Sequence, residues 1–261
     1  PEEIYKAHDS KIIFGVKLYP AGATTNSDTG VTNLGKLNKT FAAMQEVGMV
    51  LQIHGEVTDK NIDIFDREAV FIETILKPLV EKFPTLKVSL EHITTEESVT
   101  FVTKDSDSVH ASITPQHLLY NRNDMLVSGI RPHLFCLPIL KRERHQQALL
   151  EAATSGNKKL YLGTDSAPHA RDQKENCCGC AGCYSHLSAI ELYAEVFDQF
   201  NALDKLEGFA SMHGPDFYGL PYNDSFISLK RQKWKIPSSI KYLNTELIPL
   251  GANSELNWKL I

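Results

Sequence analysis

The 261-residue chain has no apolar run approaching the roughly 20 residues that a membrane-spanning helix needs. It has no cluster of Lys and Arg either: 27 basic residues stand against 32 acidic ones, for a net charge of −5. That balance argues against nucleic acid and anionic membranes as partners. Cysteine is scarce, at five residues, and the opening stretch PEEIYKAHDS has no signal-peptide character. A disulfide framework is therefore not expected, and a cytoplasmic location is. No repeat, low-complexity tract or Pro/Gly/Ser-rich linker divides the chain, so residues 1–261 read as a single domain.

What the chain does have is a 42% hydrophobic content, enough for a sizeable core, distributed in short apolar runs. These are 11–18 (KIIFGVKL), 49–54 (MVLQIH), 86–92 (LKVSLEH), 109–114 (VHASIT) and 159–165 (KLYLGTD), with a weaker one at 134–140 (LFCLPIL). Between them lie amphipathic stretches at 34–48, 64–83, 142–155 and 187–200. In the second of these, Ile64, Phe65, Val70, Phe71, Ile75 and Leu79 recur at helical spacing. Alternating strands and helices imply parallel strands with helical crossovers, and nearly continuous apolar strands are the kind buried on both faces. Six strands are expected. A doubly wound sheet and a (β/α) barrel both fit that number.

The strand ends favour the barrel. Four runs finish in, or next to, a residue with metal-binding chemistry: Lys17, His54, His92 and Asp165. In a (β/α) barrel the C-terminal strand ends meet at one mouth, where active sites lie. Imidazole and carboxylate are the usual ligands of a catalytic zinc. Each residue also has a bland reading: a hydrogen-bonded rim histidine, a turn aspartate before Ser166–Ala167–Pro168, or a lysine extending out of an apolar strand. The bland reading accounts poorly for all four at the same end of successive strands. Lys17 as an ammonium has three donors and no acceptor. Its buried, neutral amine can add carbon dioxide to become an anionic carbamate able to bridge two cations, and paired metals serve hydrolytic chemistry.

Residues 176–183, NCCGCAGC, hold four of the five cysteines: Cys177, Cys178, Cys180 and Cys183. Zinc sites built on CxxC normally need two separated pairs or histidines at set spacing. Here no second pair follows. Three readings stay open: a rim loop contributing backbone contacts, an adventitious or regulatory thiolate metal site that Cys136 joins, and a redox disulfide.

Several long motifs carry a resemblance. KLYPAGATTNSDTGV (17–31), LQIHGEVTD (51–59), LEHITT (90–95), TPQHL (114–118), RPHLFCLPILKR (131–142) and GTDSAPHARDQKENCCGCAGC (163–183) resemble the dihydroorotase family, in its shorter monofunctional bacterial and plant form. The likeness runs from about residue 11 to HGPDFYGLP (213–221), and more loosely to the C-terminus. It implies a (β/α)8 TIM-type barrel of the metal-dependent amidohydrolase kind, a single catalytic domain and two Zn2+ ions per subunit. It also implies the reversible cyclisation of N-carbamoyl-L-aspartate to L-dihydroorotate in pyrimidine biosynthesis.

Position by position, the resemblance makes Lys17 the N-carboxylated lysine bridging the metals. It makes His54 and His92 metal ligands, and Asp165 both a ligand and the general acid/base. It gives His169 the substrate carboxylate. Leu137 and Ala181 fall where backbone groups hold the pyrimidine ring, and Thr24 and Thr25 at the tip of a loop that closes over it. The partner is this small molecule, and a homodimer is expected. One departure stands out. The family's first strand carries a His-x-His pair, followed by an Arg and an Asn that bind substrate. No HxH occurs in the 261 residues. With six runs instead of eight and no initiating Met, this leads to the expectation that roughly two upstream βα units lie outside the chain, which holds about strands 3 to 8. Such a barrel exposes two edges, so these residues alone are not expected to form a stable active enzyme. A different cyclic-amide hydrolase, of hydantoinase or allantoinase type, and an inactive relative serving as a binding partner remain the alternatives.

Overall fold

The computed structural model describes residues 1–261. Five parallel strands form one sheet in sequential order: β1 (Gly15–Leu18), β2 (Val50–His54), β3 (Val88–Glu91), β4 (Val109–Ile113) and β5 (Leu160–Leu162). Helices return the chain between them: Asn38–Val47, then Arg67–Phe71 continued by Lys77–Lys82, then Glu96–Thr100, and finally Glu143–Thr154. Sequential parallel strands joined by helices are the geometry of part of a TIM-type barrel.

Register and alternation sort the strand residues. Lys17 pairs with Gln52, Gln52 with Ser89, and Ser89 with His110; one level higher, His54 pairs with Glu91. Successive side chains point to opposite faces. The inner face is therefore polar, whereas Leu18, Leu51, Ile53, Val88, Leu90, Val109, Ala111, Ile113 and Leu160 point outward. These outward residues join Phe41, Met44, Phe71, Ile72, Leu76, Tyr193 and Phe197 of the helices in one apolar core. Burying each such aliphatic or aromatic side chain contributes about 1.5–3 kcal/mol, so the helices are held to the sheet by its outer face. The other end of the barrel is closed by Val50, Tyr161 and Phe217, with Phe217 on the helix His213–Tyr218.

Several expectations need correction. The parallel sheet has five strands, not six. The stretch 134–140 forms no strand: Pro132 starts a short 3-10 turn (Pro132–Leu134), and Pro138 has no N–H for a ladder. Its apolar residues Leu134, Cys136, Ile139 and Leu140 fill a second core with Met125, Leu192, Ile236, Leu250 and Leu256. The chain thus carries five parallel strands of a partial TIM-type barrel. The first strand covers only Gly15–Leu18, and Ile12, Ile13 and Phe14 before it are exposed. Beyond the sheet, Leu229–Lys235 pairs antiparallel with Glu255–Leu260, and Ile240–Tyr242 with Thr245–Leu247. The charge-rich sequences of these strands gave no sign of them.

Candidate active site

The ends of β1, β2, β3 and β5 bring Lys17, His54, His92 and Asp165 to one mouth. The rings of His54 and His92 meet edge to face, with centroids 4.8 Å apart and planes at 64°. Both are buried. The charges of His54 and Lys17 act on both His92 and Asp165, which places the four within electrostatic reach of one another.

Local backbone makes this convergence possible. Glu91 is the last residue of β3 and faces the lumen beside His54. Its successor His92 would face outward in a continuing strand. Instead His92 takes φ 45°, and Asp165 takes φ 42°. Positive φ is uncommon for such residues and costs on the order of 1–3 kcal/mol each. The turn at His92 is held by its own N–H, which donates to Ser112 Oγ at 2.9 Å. It is held further by Thr94 and Thr95, whose N–H and hydroxyl groups all donate to the buried carboxylate of Glu68. Before Asp165, a Cβ on Gly163 would sit 2.5 Å from Ser112 Cβ, so only glycine lets β5 lie this close to β4.

The electrostatics separate the groups. Burial, reinforced by the charges of His54 and Lys17, holds the His92 imidazole well below its usual range, so it is neutral. Asp165 is reached by solvent, but the walls of the mouth partly desolvate it. That desolvation pushes its carboxyl up to about 6, Glu91 adds to the rise, and Lys17 and His54 oppose it.

These residues suit a metal. Neutral imidazoles are ligands for zinc, and ligating histidines commonly give their second nitrogen to a carboxylate. His54 Nε2 lies 2.8 Å from Glu56 Oε2, both residues being buried, which leaves Nδ1 for a cation. His92 Nδ1 is buried with no hydrogen-bond partner. A buried, unpaired nitrogen is costly, and a cation would satisfy it. The side chains converge without closing into a cage of three His, Cys, Asp or Glu ligands. Lys17 departs from the buried amine expected of it: its side chain is 35% exposed and pairs with the carboxylate of Glu91.

Sequence reasoning gave no role to Glu56 or Glu91. Glu91 was findable, because it lies two residues after Ser89 and so shares the lumen face. Glu56 had no such signal, since it lies beyond the end of β2. His117 was also passed over. It is buried, and its Nε2 lies 2.9 Å from Pro138 O and its Nδ1 2.7 Å from Thr114 Oγ1. A carbonyl only accepts, so Nε2 carries the proton and the Thr114 hydroxyl donates to Nδ1.

His169 and Ala181 are brought together: His169 Nε2 donates to the Ala181 carbonyl at 3.1 Å. The Ala181 N–H, and both backbone groups of Leu137, are taken up by no other protein group. Thr24 and Thr25 lie in the loop after β1. That loop is folded on itself: Ser27 Oγ accepts from Thr24 N–H at 2.9 Å and donates to Thr24 O at 2.6 Å. No hydrogen bond joins either threonine to His54, His92 or Asp165. The cysteine octet splits. Cys177 and Cys178 are exposed, whereas Cys183 is buried, as is Cys136, and all five thiols are free. Cys183 lies next to the Asp165 turn, since its carbonyl accepts from Ala167 N–H at 2.9 Å.

Residues 1–225 match the amidohydrolase family. The whole chain is 61% identical to a dihydroorotase of Acaryochloris marina, of which it covers 76%. Among solved structures, it is similar to the Saccharomyces cerevisiae dihydroorotase in complex with 5-fluoroorotic acid. The TM-score is 0.91 at 35% identity, covering all of this chain and 77% of that one. It also resembles a D-hydantoinase from Bacillus sp. AR9, with TM-score 0.81 at 15% identity over all of this chain and 64% of that one. At that identity the likeness concerns the fold alone. No helix of the chain is long and apolar enough to cross a membrane.

Proposed function

The chain belongs to the amidohydrolase family and, within it, to the dihydroorotases, and from that premise we propose that it serves the reversible interconversion of L-dihydroorotate and N-carbamoyl-L-aspartate in pyrimidine biosynthesis. The observation that carries the reading is the meeting of His54, His92 and Asp165 at one mouth, with the two rings 4.8 Å apart. A family relationship alone supplies a scaffold; function lies in the site.

The family is metal-dependent, and the finer proposal is two zinc ions per subunit. His54 and His92 would hold one, Asp165 would contribute to the other, and Lys17, once N-carboxylated, would supply carboxylate oxygen to the pair. When bound, the metals supply Lewis-acid polarisation of the ring amide carbonyl and an activated water. Carboxylation of Lys17 requires its pair with Glu91 to open, because a carbamate there would face the like charge of the Glu91 carboxylate. Glu56 orients His54 through Nε2.

In ring opening, Asp165 takes the proton of the attacking water and delivers it to the departing ring nitrogen. In closure it removes the proton of the carbamoyl nitrogen. One carboxylate in both roles is what reversibility demands. His169 binds the substrate carboxylate, while Leu137 and Ala181 offer free backbone groups to the ring. Thr24 and Thr25 belong to a loop that closes over the site and excludes water. A homodimer and a cytoplasmic location complete the proposal.

The test assays zinc-loaded protein with dihydroorotate and with hydantoin. Two forms are compared: the 261-residue chain, and the same chain completed with the parts of the Acaryochloris marina relative that lie outside the match. Turnover of dihydroorotate over hydantoin, in either form, is expected. Absence of dihydroorotate turnover in both forms, or preference for hydantoin, removes the reading.

A further inference from the structure

Lys174 is a buried lysine, 3% exposed, that pairs with no carboxylate. It closes the short helix Arg171–Lys174, nine residues after Asp165. Its ammonium donates to three carbonyls: Phe135 O at 2.8 Å, Cys180 O at 2.7 Å and Gly182 O at 2.7 Å. An ammonium has three donors, so all are used and all go to backbone. Burying a cation without a counter-ion is costly, and hydrogen bonds from a charged group are worth about 1.5–3 kcal/mol each. The arrangement is stable only while all three acceptors stay in place.

Those acceptors lie in two segments that are distant in sequence. Phe135 stands two residues before Leu137, while Cys180 and Gly182 flank Ala181. The same two segments are joined once more by Gly182 N–H, which donates to Phe135 O at 2.9 Å. Gly182 has φ 149°, and a Cβ there would lie 2.6 Å from Ala167 Cβ, so the loop passes against the Asp165 turn where no side chain fits. The carbonyls of residues 180 to 183 are all engaged inward. Lys174 takes Cys180 and Gly182, His169 takes Ala181, and Ala167 takes Cys183. On this rim the N–H of Ala181 and the backbone of Leu137 stay free.

We propose that Lys174 is a positioning residue for substrate: its ammonium clamps the Phe135 segment to the Cys180–Gly182 segment and so fixes the spacing of the free backbone groups of Leu137 and Ala181 that hold the ring. This rests on the dihydroorotase reading above. It also accounts for the cysteine octet. The loop is organised by a lysine acting on its carbonyls, and its thiols are not what shape it.

The decisive variant is Lys174→Ala, measured in whichever of the two forms above turns over dihydroorotate. KM for dihydroorotate is expected to rise about tenfold or more, as misplaced positioning groups do, with kcat little changed. Added n-propylammonium, which matches the missing three carbons and ammonium, restores KM. Tetramethylammonium, a cation with no N–H, does not. Unchanged KM, or equal rescue by both cations, overturns the proposal. Should Lys174→Ala fail to fold, Lys174→Arg keeps the charge but presents a planar fork that cannot match three convergent carbonyls. Raised KM is expected there, and wild-type KM overturns the clamp.

If the wild-type protein turns over no dihydroorotate, the functional reading has failed and the clamp is judged separately. Alkylation of the buried thiols of Cys136 and Cys183 is then followed in the 261-residue chain. Faster trapping in Lys174→Ala, slowed again by n-propylammonium, supports the clamp. Trapping at the wild-type rate overturns it.

Discussion

His54 Nε2 and Glu56 Oε2 are 2.8 Å apart in a site that buries both residues. Glu56 reaches back two residues along its own chain to fix the histidine's orientation and leave Nδ1 for the mouth. Removing it should loosen the ring while sparing the fold. Glu56→Ala is expected to weaken zinc binding about 10- to 100-fold, read by competition against a chelator of known affinity. Wild-type zinc affinity in a folded Glu56→Ala protein would show that His54 is oriented by something else.

Lys17 and Glu91 present the site's main conflict. The side chain of Lys17 pairs with the Glu91 carboxylate, and a carbamate in its place would be repelled by that carboxylate. The metals must supply what opens this pair. Lys17→Ala should therefore lose bound zinc and turnover together, and short carboxylic acids should restore part of both by standing in for the carbamate. Metal content and rate are measured side by side. An active, fully metallated protein whose intact mass shows an unmodified Lys17 amine contradicts the assignment.

The strand ends were legible because a parallel barrel concentrates chemistry at one end of short apolar runs, and Lys17, His54, His92 and Asp165 all stood at or next to the ends of such runs. The 134–140 run misled for a physical reason. Apolarity reports burial, and Leu134, Cys136, Ile139 and Leu140 are buried in a second core rather than in the sheet. Glu56 and Lys174 were invisible for a different reason. Their roles depend on contacts made off the strands, to a ring nitrogen in one case and to carbonyls of a distant loop in the other. Nothing in local sequence announces that a lysine points inward.

The thiols of the octet make a separate prediction. Cys178 is exposed and Cys180 half-buried, and their backbone N–H groups bond to Asn176 and Gln173 rather than to the histidines. Cys178→Ser and Cys180→Ser should each retain the zinc content of the unsubstituted protein. Loss of all zinc on either change would move the metal centre into the loop.

His117 predicts a pH effect on stability. Burial pushes its imidazole from 6.5 down to about 4, with the Lys141 charge adding to the fall and its bond to Pro138 O and the Glu68 charge opposing it. The unfolded chain therefore binds a proton that the folded chain refuses between those values. Stability is full above about 6.5 and falls as pH drops toward 4, by roughly 3 kcal/mol for this group at the lower limit. Denaturant unfolding across that range should show the decline, and His117→Gln should flatten part of it. A residual slope is expected from His110, which burial also lowers to about 4. An identical slope in His117→Gln would assign the acid sensitivity elsewhere.

Asp165 is asked to be both ligand and proton carrier, and its position reflects both demands. It follows Gly163, which only a glycine can occupy against Ser112, and it sits at φ 42°. Its carboxylate is thereby turned into the mouth within reach of Lys17 and His54. Asp165→Asn keeps the shape and one oxygen, but an amide cannot accept the proton. Turnover should fall at least about 10²–10⁴-fold, the usual worth of a general acid/base, in both directions of the reaction. Dihydroorotate binding should suffer far less, because the binding groups proposed at His169, Ala181 and Leu137 are left in place. Metal content, dihydroorotate affinity and both rates are measured on one preparation, so that metal loss is separated from loss of proton transfer. Near-wild-type turnover in a metallated Asp165→Asn protein would remove Asp165 from the proton path and require another base among the groups at the mouth, of which Glu91 is the nearest carboxylate to Lys17.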